Sequence, residues 1–455
     1  MAAQPPVGGN DRDRRPGGGL AGGVEETRSR HVATDVARRD GAQPPRGSER
    51  VPRGRSTPPA SPPPGRRRKP FHDRARVAPM NFPLATSSAE ALGLDPKPLA
   101  RLRELITAHI AEGRYPAAQI AVARHGKLGL VWTLGDARLD PQRVAACDET
   151  LWLLFSNTKV ITACAVWLLV ERGALAFTDK VADHVPGFEA NGKGDISVIQ
   201  LLTHQGGFPN AEVPKAAWED HELLRRSVCG FTLEWTPGSR VFYHRGAAHW
   251  VAAVLIEALT KTDYRAFIRE NVADPLGLGD DLFVGLPDRV QGRAVDMHEP
   301  SQDGARQVRR SEESSPEARR AGTPGGGGYA TARAMAAFYQ MLLQGGQLGG
   351  ARLLSPRTIA YVTRNYTGDR VDGYMGMPMH RGLGPHLRGT TETIRGLGSL
   401  ASPRTFGHGG VGSSYCWGDP DSGVSFAYLT NSRVPDPWHS ARLDRVSNLV
   451  HASIV

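Results

Sequence analysis

The sequence has no run of 18 apolar residues, no apolar core of a secretory signal near its start, and only four cysteines. The first absence excludes a membrane-spanning helix, and the second argues against export. Cys147, Cys164, Cys229 and Cys416 form no CxxC pair and sit in apolar or mixed runs. They read as buried, reduced thiols, and the expected location is cytoplasmic. The 15 histidines include no HExxH and no His/Cys group with zinc spacing, so no metal and no cofactor is expected. The GGGG at 325–328 lacks a following Gly-Lys-Ser/Thr, which excludes a phosphate loop and leaves a turn before a helix.

Aromatic residues are absent before Phe71, and residues 1–79 are mostly Arg, Gly, Pro and Ser. Such a segment cannot bury enough apolar surface to offset its ordering entropy. It carries 17 Lys+Arg against 8 Asp+Glu, leaving 39 against 38 for residues 80–455. The net charge of +10 therefore belongs to the tail, and a nucleic-acid surface on the folded part is not expected. The tail is open to three readings. It is a solvated basic arm for nucleic acid or membrane, a transit segment (disfavoured by its acids and Gly/Pro density), or a mis-assigned start preceding Met80.

What remains is patterned. Apolar residues at Leu99, Leu102, Leu105, Ile106 and Ile110 predict a helix over 97–112. "AAQIAVARHGKLGLVWTLGDARLD" predicts two strands around a turn at "HGK". Residues 156–171 are apolar nearly all round, as in a buried central helix. Residues 288–323, charged and weakly patterned, read as a surface loop. A helix capped near Thr331 and stopped at Gly345, two strands joined at "DPDSG", and a helix over 436–453 complete the outline. Strands at both ends with helices between predict an α+β fold: an antiparallel sheet from N- and C-terminal strands, flanked by helices and carrying an inserted all-helical region.

Lysine is scarce too, at eight residues, yet one opens the buried helix in "FSNTKV". Positions i and i+3 share a helix face, so Ser156 and Lys159 are placed to hydrogen-bond. A lysine held among apolar residues loses solvation and becomes a usable base. The plainer alternative is that Ser156 caps the helix and Lys159 snorkels to solvent. "YMGMPMHRGLGPHL" at 374–387 is either a strand with core methionines or a soft apolar pocket for an acyl chain.

The ordered set "LFSNTKVITACAVWLLVERG", "ISVIQLLTHQGGF", "WTPGSRVFYHRGAAHWVAAVLIE", "GGGGYATARAMAAFYQMLL" and "FGHGGVGSSYCWGDPDSGVSFAYLTN" resembles the serine β-lactamase-like family across roughly residues 90–453. That family includes class C β-lactamases, penicillin-binding DD-peptidases, and family VIII-type esterases and transesterases. The resemblance implies Ser156 as acylated nucleophile, Lys159 as its base partner and Tyr243 as sharing proton transfer. It implies His408-Gly409-Gly410 as the third motif on the strand lining the site, and the N–H groups of Ser156 and Val411 as an oxyanion hole. The chain departs from the pattern twice. Arg245, after His244, stands where the Tyr-x-Asn motif has asparagine, and His408 stands where lactamases have lysine. His244 is expected at the site mouth or in a structural role. Arg245 is expected to meet an acidic substrate or an acidic neighbour. His408 matches the esterase-type variants.

The reading is a serine hydrolase acting on small or medium acyl esters through an acyl-enzyme on Ser156. The alternatives are a β-lactamase or DD-peptidase, and a non-catalytic binding protein retaining the fold.

Overall fold

The computed structural model describes residues 82–392 and 396–455, so the expectations for residues 1–79 lie outside the described residues. Strands β1 (Ala117–Arg124) and β2 (Lys127–Arg138) form the expected hairpin. Strands β3 (Phe406–Gly409), β4 (Tyr415–Asp419) and β5 (Val424–Thr430) come from the other end of the chain. The two sets join through the antiparallel pairing of β5 with β1, with Ala427 opposite Ala121. The sheet order is β2-β1-β5-β4-β3. Ala85–Thr86 adds a short parallel edge beside β2, and His386–Leu387 an antiparallel one beside β3.

Both faces of this sheet are covered, which is why β1 is buried almost throughout and shows no polar alternation. Ile120 and Val122 point to one face, where α1 (Pro96–Ala111) and α5 (Trp438–His451) contribute Leu99, Leu102, Val446 and Val450. Ala121 and Ala123 point to the other. There α4 (Ala332–Leu343), N-capped by Thr331, brings Met335 and Phe338.

The inserted region between the two strand sets is built on α2 (Thr158–Glu171) and α3 (Ala247–Thr260), both apolar on nearly every side and packed together. Among the described residues four short sheets accompany the helices, including the pairing of Trp152–Leu153 and Leu282–Val284 on Gly328–Ala330.

Two expectations need correction. Residues 288–323 are not a surface loop. They hold a 3-10 turn (Asp288–Arg293), a hairpin (His298–Pro300 with Gln307–Arg309) and a helix (Pro316–Ala321), with Val295 and Met297 buried. Ion pairs bury this segment. Asp296 is paired with Arg319 at 2.8 Å and Arg309 at 2.8 Å, which satisfies the charges without an apolar period. Of the four free cysteines, Cys164 and Cys416 are buried, but Cys229 is half-buried and Cys147 is exposed.

Candidate active site

Ser156 does not lie on α2 itself. It sits in a 3-10 turn, Phe155–Asn157, between the strand Trp152–Leu153 and the helix. Phe155 is held at φ 45°, a left-handed conformation that costs a bulky residue about 1–3 kcal/mol. The turn is clamped from three sides. Asn157, buried, donates to Leu154 O and Ser414 Oγ, each at 3.0 Å. Gly328 N–H donates to Thr158 Oγ1 at 2.9 Å. The end of β3 crosses so close that a Cβ on Gly410 would stand 2.5 Å from Ser414 Oγ and 2.7 Å from Leu154 O. Glycine there is a requirement of the approach.

Lys159 is fully buried and does not snorkel. Its Nζ lies 3.1 Å from Ser156 Oγ, and it donates to the carbonyls of Arg245 at 2.8 Å and Gly325 at 2.6 Å. Burial, reinforced by the nearby Arg381 guanidinium, lowers its pKa to about 7. In the neutral amine two N–H bonds serve the two carbonyls, and the lone pair is left for the Ser156 hydroxyl proton. The glycine run at 325–328 thus supplies a carbonyl to the lysine, and a side chain on Gly325 would meet Nζ at 3.2 Å.

Tyr243 brings its ring to 5.2 Å from the Lys159 ammonium and 6.0 Å from the His408 ring. Burial pushes its phenol up to about 12, against the Ser156 hydroxyl and Arg381, which favour the phenolate. Two groups beside one hydroxyl are therefore driven apart, the amine towards base and the phenol towards acid. His408 is neutral for the same reason, since burial and then His386 hold it well below the usual histidine value. Its Nδ1–H donates to Gly409 O at 2.9 Å.

These groups open on a cavity of about 620 Å³. Ser156, Tyr243, His408, Gly409, Gly410 and Val411 all line it. Val411 is half exposed, and among the described residues its N–H and that of Ser156 donate to no side chain or loop carbonyl. Tyr374, Met375 and Met379 form an apolar wall, so the methionine-rich segment belongs partly to the pocket. Glu299, Pro300, Ser301 and Gln302 of the 298–309 hairpin line it as well.

His244 and Arg245 do not line the cavity. His244 is buried, pressed edge-on against Phe208, with its pKa lowered to about 4 by burial. Its Nδ1–H donates to Phe242 O, and its Nε2 accepts from Phe208 N–H, so the ring fastens two loops together. Arg245 turns its side chain to solvent, and among the described residues it has neither an ion pair nor a hydrogen bond. Its contribution is the carbonyl that holds Lys159. Sequence reasoning missed Arg381 and Asp372, a buried pair beside Tyr243. The arginine lay inside the 374–387 segment, read as either a strand with core methionines or an apolar pocket, hidden among its methionines and glycines.

Among the described residues, one group could hold a metal ion: His221, Glu257 and Asp263, whose donor atoms lie within 4.8 Å of one another. His221 already bonds Glu257 at 2.9 Å, and Asp263 is paired with Arg265 at 2.6 Å. No described helix is long and apolar enough to cross a membrane.

Residues 102–449 match the family model described as Beta-lactamase. The chain is 29% identical over 314 residues to the Esterase/beta-lactamase LipL of Mycobacterium tuberculosis, covering 63% of this chain and 70% of that protein. A penicillin-binding protein homologue from Caulobacter crescentus superposes with a TM-score of 0.69 at 29% identity, over 79% of this chain and 99% of the other. A family VIII carboxylesterase does so with a TM-score of 0.67 at 25% identity, over the same two shares.

Proposed function

The chain belongs to the beta-lactamase family and is a serine hydrolase, and from that premise we propose that it is an esterase or transesterase whose acyl-enzyme forms on Ser156. One observation carries the reading: Ser156 Oγ lies 3.1 Å from a buried amine with a pKa of about 7, at the floor of a half-apolar cavity.

In this scheme Ser156 Oγ attacks the ester carbonyl carbon while its proton passes to neutral Lys159. The carbonyl electrons move onto oxygen, held by the N–H groups of Ser156 and Val411. When they return, the carbon–alkoxy bond breaks. The departing alkoxide takes a proton through Tyr243, which Lys159 resupplies. Water, or an acceptor alcohol, then attacks the acyl carbon by the same route in reverse and frees Ser156 Oγ.

The preference for neutral esters over β-lactams or peptides rests on the cavity's charges. A lactam or peptide carboxylate needs a free cation. His408, in the third motif, is neutral, and the two guanidiniums on the lining are already engaged. Arg381 is paired with Asp372 at 2.6 Å, and Arg433 with Glu313 at 3.2 Å. LipL carries both activities in its name, so β-lactam turnover is the second reading. The test compares kcat/KM for p-nitrophenyl butyrate and nitrocefin on one preparation. The butyrate is expected to be preferred. A hundredfold preference for nitrocefin, about 2.7 kcal/mol in transition-state binding, overturns the esterase reading.

A further inference from the structure

The scheme above leaves one charged pair unused. Arg381 and Asp372 are almost completely buried, at 2% and 0% exposed, and both belong to the segment that walls the cavity beside Tyr243. The Arg381 Nε and Nη2 donate to Asp372 Oδ2 at 3.1 and 2.6 Å. The other carboxylate oxygen accepts the backbone N–H groups of Tyr243 at 3.1 Å, Tyr374 at 3.0 Å and Met375 at 3.3 Å. The guanidinium also lies over the Tyr243 ring, 4.9 Å from its centroid. A buried ion pair is no more stable than well-packed apolar side chains of the same volume, so stability alone does not account for its place here.

Resting on the hydrolase reading, we propose that the Asp372–Arg381 pair is a positioning device: it fixes Tyr243 against Ser156 and sets a permanent positive charge against the Lys159 amine. The geometry bounds the second part. Lys159 Nζ and Arg381 Cζ both face the Tyr243 ring, 5.2 and 4.9 Å from its centroid, so the amine and the guanidinium centre are within about 10 Å of each other. The Ser156 hydroxyl faces the amine from its own turn, and the titratable groups near it are Tyr243 and His249 from the 243–249 segment, His204, and His408 from β3. Burial holds all three histidines well below the usual value, so none is charged near neutrality. Among the described residues, no carboxylate bonds the ammonium. Arg381 is therefore the fixed charge acting on Lys159, and Asp372 attenuates it.

The signs follow. Removing the cation favours the protonated amine, and removing only the anion disfavours it. The test is the titration of Lys159 in the full chain, read by ¹³C NMR of ε-¹³C-lysine. The signal is assigned as the one missing from Lys159→Arg. This readout needs no substrate, so its failure is distinct from failure of the hydrolase reading. The wild-type midpoint is expected near 7. Arg381→Met should raise it and Asp372→Asn should lower it, each by about one pH unit. Arg381→Lys should leave it near the wild type. Where the protein turns over esters, the acid limb of kcat/KM should move in the same directions. If Arg381→Met fails to fold, Asp372→Asn decides alone, because asparagine retains an oxygen for the three N–H groups. A Lys159 midpoint unmoved in the folded variants, whatever their activity, overturns the proposal.

Discussion

Among the described residues two lysines are fully buried, Lys159 and Lys193, and they have been put to different uses. Lys193 donates to three carbonyls, those of Ala190 at 2.5 Å, Cys229 at 2.9 Å and Phe231 at 2.6 Å, and lies 5.3 Å from the Phe188 ring centroid. All three N–H groups of an ammonium are satisfied. Burial lowers its pKa, but Cys229 and Glu189 act in the opposite direction. Lys159 has two carbonyls, a hydroxyl in the third direction, and a cation nearby in place of an anion. Burial by itself makes a lysine expensive. It makes a base only where the surroundings leave the lone pair a proton to take and deny the ammonium a counter-charge.

The largest expected break in this comparison is Ser156→Ala, which should abolish ester turnover and covalent labelling by a fluorophosphonate while the melting temperature stays near the wild type. Next is Lys159→Ala, for which a loss of about 10²–10⁴ in kcat is expected, the usual worth of a positioned base. Tyr243→Phe should lose a comparable factor. Steady-state kinetics check both, and near-normal turnover in both would move the base elsewhere. The counterpart is Lys193→Met. It should leave kcat within a few-fold of the wild type but cost stability of about 1–3 kcal/mol, because three buried carbonyls lose their donor. Denaturant unfolding beside an activity assay separates the two lysines. A Lys193→Met protein that is stable but inactive would merge them. The smallest effect is expected from a chain beginning at Met80, which should match the full chain in melting and kcat. Loss of folding on that truncation would show that the tail packs on the domain.

Much of this was legible in the sequence because periodic burial leaves a trace. The nearly all-round apolar surface of α2, the β1–β2 hairpin and the Thr331 cap each follow from local chemistry, and the structure has them. The SxxK spacing placed Ser156 and Lys159 on one side of the helix mouth, although the serine proved to lie in the 3-10 turn before the helix, directly after the strained Phe155. What was not legible depends on partners distant in sequence. Residues 288–323 fold around the Asp296–Arg319 and Asp296–Arg309 ion pairs, which mimic solvent-exposed charge in a sequence. The Arg245 and Gly325 contributions to Lys159 are carbonyls, which every residue possesses and no motif records. His244 sits beside a catalytic-type tyrosine and still points inward, because its two nitrogens close a loop against Phe208 and Phe242.

The central claim, that Ser156 is a nucleophile activated by neutral Lys159, meets its most direct test in the rate of fluorophosphonate labelling against pH, with the modified peptide identified by mass spectrometry. The active form of the amine is the unprotonated one, so labelling should fall on Ser156 and rise as pH climbs through about 7. The rise should be lost in Lys159→Ala. Labelling on another residue, or a Ser156 rate that is flat from pH 5 to about 9, would contradict it.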